Sequence, residues 1–583
     1  MFTYLNSKNN NLKESVACVM PKLSLWPPQL EKYNYKPKPI VCDPLNNDWV
    51  FTRKGKLYIR KVYDNITCQA VIKYTKDAEE TNERKYAKVY NGRTINVYNN
   101  SPVPSDVFKV SCKAKLSNGT ELNYSKLILT IKRRLDIPQK LNKTDLENKL
   151  NILIFQIDSV SKMSWYRRLN QTVQTFKHLG GIWFEKANDI GKGTIKTLLP
   201  MFTGKREWDL HKAERGVKGA SHLDDFPWIW KDFKKMKYVF LYGDKNTFHY
   251  RFLGFKKPPS HHYARPWFLT FPNEITKKYC IGNETRHQIL LNYIEEFWEA
   301  YRGHPKLSFV NLEEFSHGKY VDVELIDKAH SDWLLSLKSS GKLEDTLVLL
   351  MSDHGLLYMK IAEENQMEYE GLNPYWGMLI PDSFRTKYPQ LVSNLESNRD
   401  KLITPLDMHA TLGQLVEILS GNSIRPIRHT KALSLFEKIP SERTCSGANI
   451  PPEYCLCVRY ESISTQSRLI LKMASLIEDR MNEKISDLRQ VCHKLEIMKV
   501  VSVQKSTKSF MLEHFQSKAV YKFVIKMKNF NMVFNAIVLF KMSFYHLNPT
   551  ISIEHMSRLD RYAETSKCIS NKYPYLAIFC YCK

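Results

Sequence analysis

Four short, near-continuous apolar runs stand in the middle of the chain: Ile152 to Ile157, Tyr238 to Tyr242, Leu307 to Leu312 and Thr346 to Met351. Runs of this length, apolar on both alternating positions, predict strands buried on both faces of a parallel sheet. The segments between them carry helical spacing, as in Val323, Ile326, Leu334 and Leu337. Before the core, runs such as Trp49-Val-Phe-Thr, Lys56-Leu-Tyr-Ile-Arg and Leu127-Ile-Leu-Thr-Ile are cut by Gly, Asn, Asp and Pro, the pattern of short β-strands. Near the end, Tyr521, Phe523, Ile525 and Met527 alternate with Lys522, Lys526 and Lys528, a strand with one wet face. We therefore read an α/β protein: a β-rich, cysteine-containing module over 1–140, a core with a mostly parallel sheet and flanking helices over 141–440, and a cysteine-rich α+β module over 441–583.

Ligands of doubly wound sheets bind at the carboxyl ends of the strands. There the first run is followed by Asp158-Ser159, the third by Glu313-Glu314-Phe315-Ser316-His317 and the fourth by Ser352-Asp353-His354-Gly355. Carboxylates and imidazoles are ligands for zinc or manganese, and clustered buried carboxylates need a cation to offset their repulsion. A nucleophile is offered by Gly191-Lys192-Gly193-Thr194, which opens a helical run from Ile195 to Phe202. A hydroxyl at that position has free amide N–H groups nearby, and a bound cation would lower its pKa. Each part has a bland alternative: Asp158 as a helix cap, Ser-Asp-His-Gly as a turn, Gly-x-Gly-Thr as a loop. The combination at the strand ends favours a metal site.

Composition narrows the setting. Hydrophobic content of 43% with 25% charged residues is that of a globular chain, and no apolar run approaches the roughly 18 residues of a membrane helix. With 87 Lys+Arg against 60 Asp+Glu the net charge is +27, which favours anionic partners. No dense basic tract or nucleic-acid signature accompanies it, so nucleic acid is not expected. Eleven of the 12 cysteines lie outside 113–444, and Asn-x-Ser/Thr triplets occur at Asn65, Asn99, Asn118, Asn123, Asn142, Asn170 and Asn283. Both point to disulfides and an extracellular or secretory location, with zinc binding by Cys455/Cys457 and Cys580/Cys582 as the alternative. The first twenty residues have no apolar h-region, and we read the start as incomplete.

Over roughly 140–583 these residues resemble the alkaline phosphatase/sulfatase superfamily and, more narrowly, the family catalogued as domain of unknown function 229. The resemblance is carried by Asp158-Ser159, Thr194 with Leu-Pro-x-Phe-Thr-Gly at 199–204, Leu223-Asp-Asp-Phe-Pro-Trp-Ile-Trp, Gly254-Phe-Lys-Lys-Pro-Pro, Ser352-Asp-His-Gly and Thr404-Pro-Leu-Asp-Met-His-Ala-Thr-Leu. The tail Arg443-Thr-Cys-Ser-Gly-Ala-Asn-Ile-Pro-Pro-Glu-Tyr-Cys-Leu-Cys and the ending Cys580-Tyr-Cys582 complete it.

It implies an alkaline phosphatase/sulfatase-like core in which Asp158, Thr194, Asp353 and His354 surround one metal, with Thr194 as nucleophile. Glu313 and His317 would hold a second metal, in place of the family's Asp-x-x-x-His. The implied cofactor is two zinc ions, with manganese or calcium as alternatives. A further second-metal histidine has no assigned position; His429 is a candidate and His409 reads as a packing residue. The implied substrate is an anionic ester, on a glycan or lipid headgroup.

Thr194 cannot become formylglycine, and no cysteine lies between Cys112 and Cys280, which disfavours ordinary sulfatase chemistry. The chain departs from the family at Gly193, where Asn is usual, at Leu356-Leu357-Tyr358, where Arg is usual, and at Pro259-Ser-His-His-Tyr. These departures bear on substrate orientation and leave a catalytically inactive binding protein for acidic glycans as the rival reading.

Overall fold

The computed structural model describes residues 18–583 apart from 64, 77–87, 216, 218, 246, 250, 358–364, 422–430, 452–453, 508–509, 513–515, 529, 544–548, 561–563, 571 and 574. The readings made on the first residues, on Tyr358 and on His429 lie outside the described residues.

The four apolar runs become Asn151–Ile157, Val239–Gly243, Lys306–Leu312 and Thr346–Met351, and every residue in them is buried. They are neighbours in a seven-stranded sheet whose order is His262–Tyr263, Val239–Gly243, Lys306–Leu312, Asn151–Ile157, Thr346–Met351, Trp376–Leu379, Ile182–Trp183. The first five are parallel; Trp376–Leu379 runs antiparallel to its neighbours on either side. Side chains alternate between two apolar layers: Ile152 and Ile154 enter one, Leu153, Phe155 and Ile157 the other. Helices such as Arg286–Ala300, Asp327–Ser339 and Pro405–Ser420 cover the two faces. Burial on both sides explains why these strands read as continuous apolar runs.

Before the core, Val89–Val97, Thr67–Thr75, Val107–Lys115 and Glu121–Leu129 form a four-stranded antiparallel sheet. After it, Tyr460–Ile463, Ile497–Ser506, Gln516–Met527, Val533–Ser543 and Thr550–Arg558 form an antiparallel sheet. The 17-residue helix Arg468–Lys484 packs Ile470, Met473, Ile477 and Met481 against its apolar face.

All 12 cysteines pair: Cys18–Cys457, Cys42–Cys280, Cys68–Cys112, Cys445–Cys455, Cys492–Cys580 and Cys568–Cys582. Both Cys-x-Cys pairs are consumed in disulfides, so the zinc alternative for them falls. Among the described residues no helix is long and apolar enough to cross a membrane.

Candidate functional site

Strand register brings the first carboxylates together. Asn151 is level with Thr346 and Gln156 with Met351, a constant offset of 195. Carried two residues past the last paired positions, that offset sets Asp158 beside Asp353. Asp158, Asp353 and His354 are all buried, and one ligand atom from each lies within 4.8 Å of the others.

The backbone between them is shaped for the purpose. Ser159 adopts φ 59°, in the left-handed region. Its N–H donates to Asp353 Oδ1 at 2.9 Å and its hydroxyl to Asp158 Oδ1 at 2.6 Å. The His354 N–H also donates to Asp353 Oδ1, at 2.9 Å. Asp158 is no helix cap, because Ser161 fills that role by accepting from the Ser164 N–H at 3.0 Å.

Thr194 is the first residue of the helix Thr194–Thr203. Gly193 before it has φ 103° and ψ 159°, a conformation confined almost wholly to glycine. The preceding residues are tied down: Asn188 donates from Nδ2 to the Tyr454 carbonyl at 2.8 Å and accepts from the Leu456 N–H at 2.9 Å. The Cys445–Cys457 tail thereby buttresses the loop that leads to Thr194. Thr194 Oγ1 donates to Asp158 Oδ2 at 3.1 Å and lies 3.4 Å from His354 Nε2. Thr197 in the same helix donates to the Asp353 carbonyl at 3.0 Å.

His354 Nδ1 lies 2.6 Å from the Gly355 carbonyl, which can only accept, so Nδ1 carries the proton. In the neutral ring Nε2 then presents its lone pair between Thr194 and Asp353 Oδ2, which is 3.3 Å away. Burial, reinforced by Asp353, pushes the Asp158 carboxyl up to about 6. Burial works to lower the His354 pKa, but the facing Asp353 and Asp158 carboxylates outweigh it and the net shift is upward. Asp353 Oδ2 is buried and has no hydrogen-bond partner. An orphaned carboxylate oxygen, a second carboxylate and an imidazole lone pair within one small volume are a donor set that fits a divalent cation.

Glu313 and His317 are not drawn into this group. The register with Asn151–Ile157 sets Glu313 level with Asp158 on the other side, since 312 − 157 and 313 − 158 are both 155. Yet Glu313 Oε1 faces Lys245 Nζ at 3.4 Å, and His317 is exposed, near enough to act electrostatically on Asp158. His409 packs on the helix of Thr194, its Nδ1 3.1 Å from the Met201 carbonyl.

Two buried carboxylates escaped the sequence reading. Asp244 follows Val239–Gly243 directly and accepts at Oδ1 from Asn311 Nδ2 at 3.0 Å and from the Thr247 hydroxyl at 2.7 Å. Reading past that run by the rule applied to the other three would have found it. Asp189, pushed up to about 7 by burial, leads into the loop before Thr194, where no apolar run announces it.

The sequence matches the model of the family described as "Protein of unknown function (DUF229)" over residues 36–501. The chain belongs to this family. No curated protein matches the sequence. Solved structures to which it is similar include a protein in the alkaline phosphatase superfamily from Vibrio parahaemolyticus, with TM-score 0.33 and 12% identity, covering 76% of this chain and 91% of that one. Another is the lipoteichoic acid synthase from Listeria monocytogenes, with TM-score 0.31 and 13% identity over 56% of this chain and 82% of that one. A third is a phosphonate monoester hydrolase from Silicibacter pomeroyi, with TM-score 0.36 and 10% identity over 69% of this chain and 90% of that one.

Proposed function

We propose that this DUF229 member is a metal-dependent hydrolase of phosphate or related esters, with Thr194 as the nucleophile. The observation that carries the reading is the Thr194 hydroxyl, hydrogen-bonded to Asp158 Oδ2 and 3.4 Å from His354 Nε2, beside the orphaned Asp353 Oδ2.

The residues that would hold a divalent cation, zinc first, are Asp158, Asp353 and His354 with Thr194. The chemistry such a cation supplies there is Lewis acidity, which acidifies the Thr194 hydroxyl and offsets the negative charge of an attacked ester. Thr194 Oγ1 passes its proton to Asp158 Oδ2, its hydrogen-bond partner, and forms the O–P bond as the ester oxygen departs and takes a proton from solvent. Water then attacks phosphorus, the Thr194 Oγ1–P bond breaks, and Oγ1 takes back the proton held on Asp158, which restores both the hydroxyl and the carboxylate. Ser159 holds both carboxylates in orientation. Glu313 and His317 are proposed for a second cation, which would have to displace Lys245 from Glu313. Six disulfides support an oxidising, extracellular or secretory location. The exposed acceptors Asn65, Asn99, Asn118, Asn123, Asn142 and Asn170 fit a glycoprotein, whereas Asn283 is half-buried with its Oδ1 engaged by Lys126 Nζ.

Thr194→Ala is expected to abolish turnover of an aryl phosphate ester, and undiminished turnover overturns the mechanism. Elemental mass spectrometry of purified protein should find about two divalent ions per chain, both sites filled, or about one if Glu313 stays with Lys245; Asp353→Ala should lose the first. One observation favours the rival, a binding protein for acidic glycans that performs no turnover: the Glu313–Lys245 pair leaves the second ligand set unassembled. Steeply salt-dependent heparin binding by a metal-free, inactive protein would decide for it.

A further inference from the structure

Where the C-terminal sheet meets the core, Lys192, Glu368, Lys522, Asn535 and His555 line a small cavity. Its sheet wall follows from register. Lys522 pairs with Ile537, and Ile537 with His555, across three neighbouring strands. Asn535 is two residues from Ile537 and so shares its face. The opposite face, with Phe523, Phe534, Ala536, Val538 and Met556, belongs to the apolar layer beneath Arg468–Lys484. Of the lysines that read as a wet strand face, Lys522 is thus turned to the core, while Lys528 stays exposed beside Glu496. The core contributes Lys192, two residues before Thr194, and Glu368 from the helix Asn365–Leu372.

The charges there do not balance. Lys522 Nζ is 3.4 Å from Glu368 Oε2 and 3.9 Å from the centroid of the Tyr460 ring. That carboxylate has one charge to set against two ammoniums. Among the described residues no hydrogen bond or ion pair holds the half-buried Lys192 ammonium. His555 is neutral near pH 7, lowered to about 4 by burial and by Lys196 and Lys192 nearby. Asn535 Oδ1 is buried and has no partner. A half-buried cation without a partner is poorly compensated, and an arriving anion offsets that. Two residues of chain span at most about 7 Å, so the backbone that carries Lys192 into the cavity wall lies within that distance of the one that carries Thr194.

We propose that this cavity takes a second anionic group of the substrate, a phosphate, sulfate or carboxylate, while the scissile ester sits at Thr194. The substrate is then an ester carrying at least two anionic groups, and the C-terminal sheet is a wall of the site. The inference rests on the reading of Thr194 as nucleophile. Lys192 and Lys522 bind the second group, and Asn535 and His555 supply hydrogen bonds once their rings and amides turn to it.

The test is isothermal titration of the full chain with methylphosphonate and with a series of alkane-α,ω-bisphosphonates of increasing length, none of which is hydrolysed. One length should bind about tenfold more tightly than methylphosphonate. Lys192→Met and Lys522→Met should each erase that gain while keeping the thermal melting point. The two variants lie on different elements, so misfolding of one leaves the other as the test. Equal affinity across the series, no binding by any probe, or a gain that survives in both variants overturns the inference. Phosphonates ending in a carboxylate or sulfonate identify which second anion is preferred. Aryl phosphate turnover is followed in parallel. A lost length preference with Thr194-dependent turnover sinks the second-anion cavity alone, and a retained preference with turnover indifferent to Thr194→Ala sinks the mechanism it was built on.

Discussion

Two residues beside the candidate cluster carry backbone conformations that most side chains avoid: Ser159 at φ 59° and Gly193 at φ 103°. Ser159 tolerates its conformation because its N–H and hydroxyl both reach a site carboxylate, so the strain is offset where it is used. Gly193 has no such compensation and needs none. The family resemblance makes Gly193 a departure from the usual Asn, and its backbone angles give the physical sense of that departure. A Cβ added there meets nothing within 4 Å, so any cost of Gly193→Ala comes from the backbone alone. We expect that substitution to destabilise the fold by about 1–3 kcal/mol, or, if the loop relaxes instead, to swing Thr194 away from Asp158. Urea denaturation alongside aryl phosphate turnover checks it: unchanged stability together with unchanged turnover would show that the loop carries no strain. On the proposed function, Ser159→Ala should spare the backbone and lower metal occupancy, because it removes the hydroxyl bond that orients Asp158.

Among the elements, several motifs that the sequence singled out prove to hold the molecule together. Asp224 of Leu223-Asp-Asp accepts from the Lys256 and Lys257 N–H groups at 2.6 and 3.0 Å, joining that motif to Gly254-Phe-Lys-Lys. Trp228 and Trp230 of the same stretch stack at 4.4 Å. The Thr404-Pro-Leu-Asp motif is the capping box of the helix Pro405–Ser420, and Arg443 from the cysteine tail clamps the capping Asp407 with two hydrogen bonds of 2.9 and 2.8 Å. The Asp224 and Arg443 contacts could not be read from the chain, because they join positions 32 and 36 residues apart and periodicity reports only local geometry. The Trp228/Trp230 stack and the Thr404/Asp407 box, by contrast, are local. Arg443→Met would leave Asp407 buried with its charge unmatched. A loss of about 3–5 kcal/mol is expected in urea denaturation, and a loss below about 1 kcal/mol would mean the clamp is dispensable. The strand ends were legible for the opposite reason. A parallel sheet keeps a constant register, so polar residues that close each apolar run must converge, as Asp158 and Asp353 do. Glu313 obeys the same register, but its side chain meets Lys245, whose position no pattern near Glu313 discloses. The helix expected over Val323 to Leu337 also differs in detail. It opens as a 3-10 turn at Asp322–Ile326 and becomes α-helical at Asp327, whose carboxylate is taken by the Gln171 and Thr172 N–H groups of another helix.

For the molecule as a whole, folding hides groups that the sequence shows only as isolated histidines. His287 and His330 lie in the apolar layer beneath the sheet, their rings 5.9 Å apart, with His330 set edge-on to Phe155 at 5.2 Å. Neither His330 nitrogen has a hydrogen-bond partner, nor does His287 Nδ1. Burial lowers the His287 pKa to about 4 and depresses that of His330 well below its ordinary value, with His287 adding to the effect. In the unfolded chain both titrate near pH 6.5. Below that value the unfolded state binds protons that the folded state refuses, so their contribution to stability is fully present above about pH 6.5 and is lost as the pH falls toward 4. For His287 the span between the two pKa values corresponds to a loss on the order of 3 kcal/mol. His330→Leu keeps the apolar volume, removes two unsatisfied nitrogens and takes one titrating group out of the layer. Its advantage over the parent in urea denaturation should be small near pH 7.5 and grow steadily toward pH 4.5. An advantage that stayed the same at both pH values would mean that the His330 ring takes up its proton in the folded protein as readily as in the unfolded one.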